Sequence, residues 1–205
     1  MNEKRPNRLG IMGGTFDPIH YGHLLIAQTA AEEFDLDRVI FLPTGKSPHK
    51  LSDQVTDPAV RCEMVQLAIQ GNPAFTISTL EAENTEVNYT YQTLLAFRRM
   101  YPDTHFYFIM GEDSLDDFAG WKNPAGICRT ASILVAVRDD DTSGAAAKIA
   151  DARVLYTADI HLLHAPVFSV SSRDIRQRIR NGKNVRYLIQ KEVEAFIRNH
   201  SLYME

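Results

Sequence analysis

Leu9-Gly10-Ile11-Met12-Gly13-Gly14-Thr15-Phe16-Asp17-Pro18-Ile19-His20-Tyr21-Gly22-His23-Leu24 is the stretch on which the fold turns. Its opening, Leu9–Met12, is short and apolar and reads as a buried strand. Gly13 and Gly14 follow at once; two glycines let the backbone pass close to a ligand and turn its amides toward it. From Gly22 to Phe34 the period changes, and Leu24, Ala27, Ala31 and Phe34 fall on one helical face. A strand that runs through a glycine turn into a helix is the first half of a βαβ unit.

The alternation continues along the chain. Arg38–Leu42, Phe75–Leu80, His105–Met110 and Ser132–Val137 read as further strands, rich in Ile, Val, Phe and Tyr. Continuous apolar runs of this kind suit strands covered on both faces. Between them, Asp57 reads as the cap of a helix with Pro58 at its first position. That helix carries Val60, Met64, Leu67 and Ala68 on a stripe, and Gly71 ends it. Thr90–Met100 is a third helix, stopped before Pro102. Ser171-Ser172-Arg173-Asp174 looks like a capped start, with Ile175 and Ile179 facing inward and Gly182 at the end. Val193, Phe196 and Ile197 mark a last helix. The pattern predicts an α/β fold: a Rossmann-like doubly wound parallel sheet with a small C-terminal helical part, in one domain over residues 1–205. Residues 1–8 are expected as a flexible tail. Arg138–Ala150, with three aspartates, Ser143-Gly144 and an alanine run, reads as a surface insertion.

Composition narrows the function. A chain of 205 residues buries a core without staples. Its net charge of -4 argues against broad binding to nucleic acid or to an anionic membrane. Cys62 and Cys128 show no paired spacing, so neither a zinc site nor a disulfide is expected. Met1–Arg8 is polar and basic, and no signal-like apolar stretch follows it. The expected compartment is the reducing cytoplasm. Oligomeric state stays open, a homo-oligomer being one outcome.

In doubly wound sheets, ligands sit beyond the carboxyl ends of the strands. After the first strand stand His20 and His23, three apart at the entry to a helix, where both rings can point to one side. Helix N-terminal amides and partial positive charge add to a site for phosphates. A protonated imidazole there can neutralise charge that develops in phosphoryl transfer. Two commoner phosphate motifs are excluded. Gly10, Gly13 and Gly14 do not fit the spaced-glycine dinucleotide fingerprint. Thr44-Gly45-Lys46-Ser47 imitates the end of a P-loop, but Ile40 stands where the first glycine belongs and Pro48 opposes immediate helix entry.

Other positions each have a bland reading beside the chemical one. Ser171, Ser172 and Arg176 either cap a helix with a solvated arginine face or clamp a triphosphate, for which hydroxyls and a guanidinium are suited. Gly111 and Asp113 follow the fourth strand, where an aspartate can simply cap a helix. Trp121, the only tryptophan, is by default packing. Lys46, His49 and Lys50 bring cationic groups to the ligand edge after the second strand, with Arg138 after the fifth.

Gly13 to His23 resembles the HxGH signature of the nucleotidyltransferase superfamily, and the chain is most similar there to the bacterial nicotinate-nucleotide adenylyltransferases. The resemblance runs roughly from Leu9 to Tyr203. It includes Pro48-His49-Lys50, Tyr89-Thr90 with Thr93-Leu94, Gly111 with Asp113, and Trp121. Ser171-Ser172 with Ile175-Arg176 and Arg186-Tyr187-Leu188 complete it. It implies transfer of the adenylyl group of ATP to nicotinate mononucleotide, with Mg²⁺ bridging the substrate phosphates and no protein metal ligand assigned. By the same resemblance His23 and His20 are catalytic. Gly13, Gly14, Thr15, Phe16, His20, His23, Gly111, Asp113, Ser171, Ser172 and Arg176 would bind ATP. Lys46, His49, Lys50 and Arg138 would hold the mononucleotide phosphate, and Thr90, Tyr91 and Trp121 its pyridine ring. The sequence departs from the family at Arg173, Glu112, Asn84, Glu86 and Gln92. The competing readings are a related transferase with another acceptor, such as phosphopantetheine, whose branch carries threonine in place of His20, and a non-catalytic nucleotide sensor.

Overall fold

A computed structural model describes residues 6–46, 55–137, 142–166 and 168–204. Among the described residues six strands form one sheet: β1 (Arg8–Gly14), β2 (Arg38–Pro43), β3 (Phe75–Ile77), β4 (His105–Gly111), β5 (Ser132–Ala136) and β6 (Ile160–Leu163). Every pairing is parallel and the order is β3-β2-β1-β4-β5-β6. The order reverses between β1 and β4, so a crevice for ligand opens at the carboxyl ends of those two neighbours.

Helices cover both faces, as the unbroken apolar strands demand. On one face α1 (Tyr21–Glu33), α2 (Pro58–Ile69), α7 (Ser172–Arg180) and α8 (Lys191–Asn199) enclose a core that includes Met12, Phe41, Met64, Ile175 and Val193. On the other, α3 (Thr90–Met100), α5 (Pro124–Thr130) and α6 (Ser143–Tyr156) enclose Leu9, Ile11, Leu94, Phe108, Ile127 and Ile149. The short α4 (Glu112–Asp116) and a 3-10 turn at Phe118–Gly120 link β4 to α5. The expected caps are present: Asp57 accepts from the Ala59 amide at 2.8 Å, and Gly71 and Gly182 take positive φ just beyond their helices.

Four expectations are corrected. The region read as an insertion carries α6, which buries Ala145, Ile149 and Ala152 at helical spacing. β3 keeps three residues where six were expected, although the Ser78 amide still reaches the Phe41 carbonyl at 2.9 Å. β6, α4 and α5 were not anticipated. Asn7 and Arg8 are not tail: both amides donate to Asp37 Oδ2, at 2.8 and 2.9 Å, and Arg8 begins β1.

Candidate functional site

The sheet ends β1 at Gly13 and Gly14 and β4 at Gly111, side by side at the crevice. A Cβ on Gly13 would meet only the Phe108 ring, at 3.8 Å, and one on Gly111 would meet nothing within 4 Å. The protein's own packing therefore leaves room for side chains at both strand ends. Gly14 is different: a Cβ there would lie 2.9 Å from the Phe16 ring, which folds back under the turn with Phe16 at φ 50°.

From Phe16 the chain enters α1 through His20 and His23. Their rings stack, with centroids 3.7 Å apart and planes 25° from parallel. His20 is buried and His23 half-buried, the latter edge-on to the Phe16 ring at 5.0 Å. His20 donates its backbone N–H to His23 Nδ1 at 3.2 Å. That bond makes Nδ1 an acceptor and puts the ring proton on Nε2. In this arrangement His23 is a neutral donor through Nε2, which refines the expectation of an imidazolium. The expected row of unpaired amides at the mouth of α1 is also partly taken. Tyr21 donates to the Leu188 carbonyl and His23 to that of His20, both at 3.0 Å.

The loop between β1 and α1 is held by its carbonyls. Arg61, 1% exposed, donates Nη1 to Thr15 O at 2.6 Å, Nη2 to Thr44 O at 2.7 Å and Nε to Thr56 O at 2.8 Å. Burial lowers its pKa, and the nearby Asp17 carboxylate works in the opposite direction. Arg176 Nη1 donates to Asp17 O at 2.6 Å and Ser172 Oγ to Pro18 O at 2.8 Å. The hydroxyl proton of Ser172 is thus committed to the loop. Ser171 is the α7 cap: its Oγ accepts from the Asp174 amide at 3.1 Å. Ser171 makes the expected cap, while Ser172 and Arg176 are joined to the histidine loop by bonds that their local sequence did not show. Asp113 sits exposed in the first turn of α4.

A second group forms beside β2. Lys46 bridges to Val87, and its carbonyl accepts from the Asn88 amide at 2.9 Å. This sets the loop after β2 against the start of α3, where Thr90 is the first residue. Tyr91 packs over Gly126, whose added Cβ would lie 2.6 Å from Tyr91 Cε2. Lys122 Nζ lies 4.1 Å from the centroid of the Tyr89 ring, so the segment with Trp121 reaches the same end of α3. Trp121 is partly buried, edge-on to Phe108 at 6.1 Å and tilted against Phe118 at 5.5 Å. His49, Lys50 and Arg138 lie outside the described residues.

Glu81 was missed. It is 6% exposed and accepts from Thr93 Oγ1 at 2.7 Å; burial raises its pKa, against the pull of bonds from Thr93 and Thr44. It borders a cavity of about 380 Å³ with Asn84, Asn88, Tyr89, Gln92 and Thr93, so two of the family departures line one hollow. Asp17, Arg61 and Tyr203 were missed as well. The signal for Arg61 was its place one helical face from Met64, Val65 and Ala68, a charge in a buried stripe.

The family model described as cytidylyltransferase-like matches residues 11–178. Among relatives, a probable nicotinate-nucleotide adenylyltransferase of Thermomicrobium roseum is 42% identical over 202 residues, covering 96% of this chain and 92% of its own. One of Lachnoclostridium phytofermentans is 39% identical over 198 residues, covering 96% and 99%. Among solved structures, the nicotinic acid mononucleotide adenylyltransferase of Plasmodium falciparum complexed with NaAD superposes with a TM-score of 0.79 at 19% identity, covering 96% of this chain and 97% of that one. At that identity the likeness bears on the fold. Taken with the stacked histidines at the β1–β4 crevice, these matches show that the chain belongs to the nicotinate-nucleotide adenylyltransferase family of cytidylyltransferase-like proteins.

Proposed function

We infer that this protein transfers the adenylyl group of ATP to nicotinate mononucleotide, giving nicotinate adenine dinucleotide and pyrophosphate on the route to NAD. The observation that carries the reading at the level of residues is the stacked His20–His23 pair on the segment that leaves β1, at the switch point where β1 ends in Gly13 and Gly14 and β4 ends in Gly111. Neither glycine is required by the protein's own packing, which supports a ligand lying against both strand ends.

The reaction needs no protein nucleophile. A phosphate oxygen of the mononucleotide attacks the α-phosphorus of ATP, the bond to the β-phosphate breaks, and pyrophosphate leaves. Two anions must be brought into line, so positioning and charge stabilisation carry the catalysis; well-oriented reactants supply up to roughly 7–11 kcal/mol. His23 donates through Nε2 to the oxygen on which charge grows, and the stacked His20 fixes its ring. Gly13, Gly14, Thr15 and Phe16 line the nucleotide, with Gly111 and Asp113 on the adenosine side. Ser171, Ser172 and Arg176 support the triphosphate. Lys46, His49, Lys50 and Arg138 hold the mononucleotide phosphate, and Thr90, Tyr91 and Trp121 flank its ring. The substrates' own phosphates would hold Mg²⁺, which would supply part of the neutralisation of the phosphate charge. Magnesium held by phosphates and water needs few carboxylates; Asp17, the acid nearest the histidines in sequence, is engaged by Thr56 and Tyr203. Cys62 and Cys128 are free thiols, which suits a reducing cytoplasm.

The test is pyrophosphate release from ATP and Mg²⁺ with nicotinate mononucleotide, its amide counterpart and phosphopantetheine in parallel. Turnover with the acid form is expected to be fastest. Turnover with phosphopantetheine alone, or ATP binding without pyrophosphate, would overturn the reading.

A further inference from the structure

Tyr203 follows α8, far in sequence from the histidine loop, yet its hydroxyl donates to Asp17 Oδ1 at 2.6 Å. Asp17 is 3% exposed. Its other oxygen, Oδ2, accepts from the Thr56 amide at 3.2 Å and lies 4.0 Å from Arg176 Nη1. A buried carboxylate is costly unless its oxygens are bonded; here the tyrosine hydroxyl supplies one of those bonds. Burial first, then the charge of Asp17, pushes the Tyr203 hydroxyl far above the ordinary tyrosine value, so it stays a donor.

Tyr203 sits in the left-handed region at φ 64°, and so does Phe16, the residue before Asp17, at φ 50°. Residues with side chains visit that region rarely and hold it only when their surroundings fix them. The same loop gives Thr15 O to Arg61, Asp17 O to Arg176 and Pro18 O to Ser172. Three donors from α2 and α7 therefore take its carbonyls, and Tyr203 takes its one carboxylate. His20 follows Asp17 by three residues and His23 by six.

We propose that Tyr203 is a positioning residue for adenylyl transfer: its hydroxyl, acting through Asp17, fixes the loop that sets the His20–His23 pair. It touches no substrate. The inference rests on the function proposed above.

The experiment is a double-mutant cycle between Tyr203→Phe and Asp17→Asn, read in kcat, in the KM of each substrate and in the histidine ring NMR signals. Tyr203→Phe removes only the oxygen. Loss of alignment by about 1 Å costs up to about a hundredfold in rate, so kcat is expected to fall ten- to a hundredfold while the KM for the mononucleotide stays within about twofold. The His20 and His23 ring signals should shift. With Asn at position 17 the same tyrosine change should cost less than about threefold, because the carboxylate it serves is gone. Unchanged kcat and ring signals in Tyr203→Phe, or equal losses in both backgrounds, would overturn the proposal. If Tyr203→Phe does not fold, the Asp17→Asn chain carries the same readouts; wild-type ring signals and kcat there would overturn it too. Should the wild-type protein show no nicotinate mononucleotide turnover, the function reading fails by itself, and the ring signals in the cycle still decide the positioning role.

Discussion

The two edges of the one sheet carry nearly the same side chains and do different things. At the carboxyl edge, His20, His23, Ser172, Arg176 and Asp17 gather on and around the loop that follows β1. At the amino edge, His105 begins β4, Ser132 begins β5 and His161 lies in β6, with Asp159 just ahead of it. Ser132 donates to Asp159 Oδ2 at 2.5 Å, so its oxygen accepts from His105 Nε2 at 2.8 Å; His161 Nε2 meets Asp159 Oδ1 at 2.7 Å. A serine, two histidines and an aspartate within bonding reach look like hydrolytic machinery. Yet Ser132 is 3% exposed, its proton goes to the acid and not to a histidine, and the cluster sits at the edge away from the switch-point crevice. On the function proposed above, histidine, serine and acid make chemistry where the topology opens a crevice, and make a clasp where it does not.

The largest loss is expected at His23. His23→Ala should lower kcat about 10²–10³-fold, the usual effect of removing one donor from a developing oxyanion, with the thermal midpoint little changed because the ring is half-buried at the mouth of a helix. Near-normal turnover would remove His23 from the mechanism and with it the distinction between the edges.

Trp121→Ala sharpens the mononucleotide half of the crevice. Stacking of a base on an aromatic ring contributes about 1–3 kcal/mol, so the KM for nicotinate mononucleotide should rise about tenfold or more while that for ATP stays within about twofold. Some stability should go as well, since the indole packs on Phe108 and Phe118. Steady-state kinetics with each substrate varied in turn checks this; an equal rise for both substrates would leave Trp121 as packing alone.

At the other edge the expectation reverses. Ser132→Ala removes a bond from Asp159 and one from His105, both exposed enough for water to take its place, so stability should fall by about 0.5–1.5 kcal/mol, and kcat should not move. Urea midpoints beside kcat values measure both; a fall in kcat at constant stability would mean that the amino edge communicates with the site.

How far such differences are visible in a sequence depends on range. Gly13, Gly14, His20 and His23 were legible because a strand, a glycine turn and a helix entry are local events. The Asp57 and Ser171 caps were legible for the same reason. α6 was obscured by the aspartates ahead of it, although Ala145, Ile149 and Ala152 already had helical spacing. β6 was hidden by His161 in the middle of four residues. What no local pattern discloses is the support of the site. The Tyr203–Asp17 bond spans 186 positions and the Arg176–Asp17 bond 159. Only the fold brings those residues together, so the motif was read with an incomplete account of what holds it.

The gentlest test of the clasp is pH. Burial lowers the His105 pKa below its ordinary 6.5; Asp159 opposes this, while Arg8 and Arg98 reinforce it. Burial pushes Asp159 up, but its bonds with Ser132 and His161 outweigh that and hold it below 3.8. For His105 the folded chain binds fewer protons than the unfolded one, so its contribution is whole above pH 6.5 and is lost as pH falls from there through the lower folded value. For Asp159 the contribution is whole above 3.8 and is lost as pH falls through its depressed value. Both act in the same direction, in separate windows. In urea titrations from pH 8 to 4, His105→Gln should flatten the decline that begins near pH 6.5, while kcat at neutral pH matches that of the unmodified chain. A decline of unchanged slope in His105→Gln would place the acid sensitivity elsewhere and leave the amino edge as ordinary packing. A change in kcat would tie the clasp to the crevice after all.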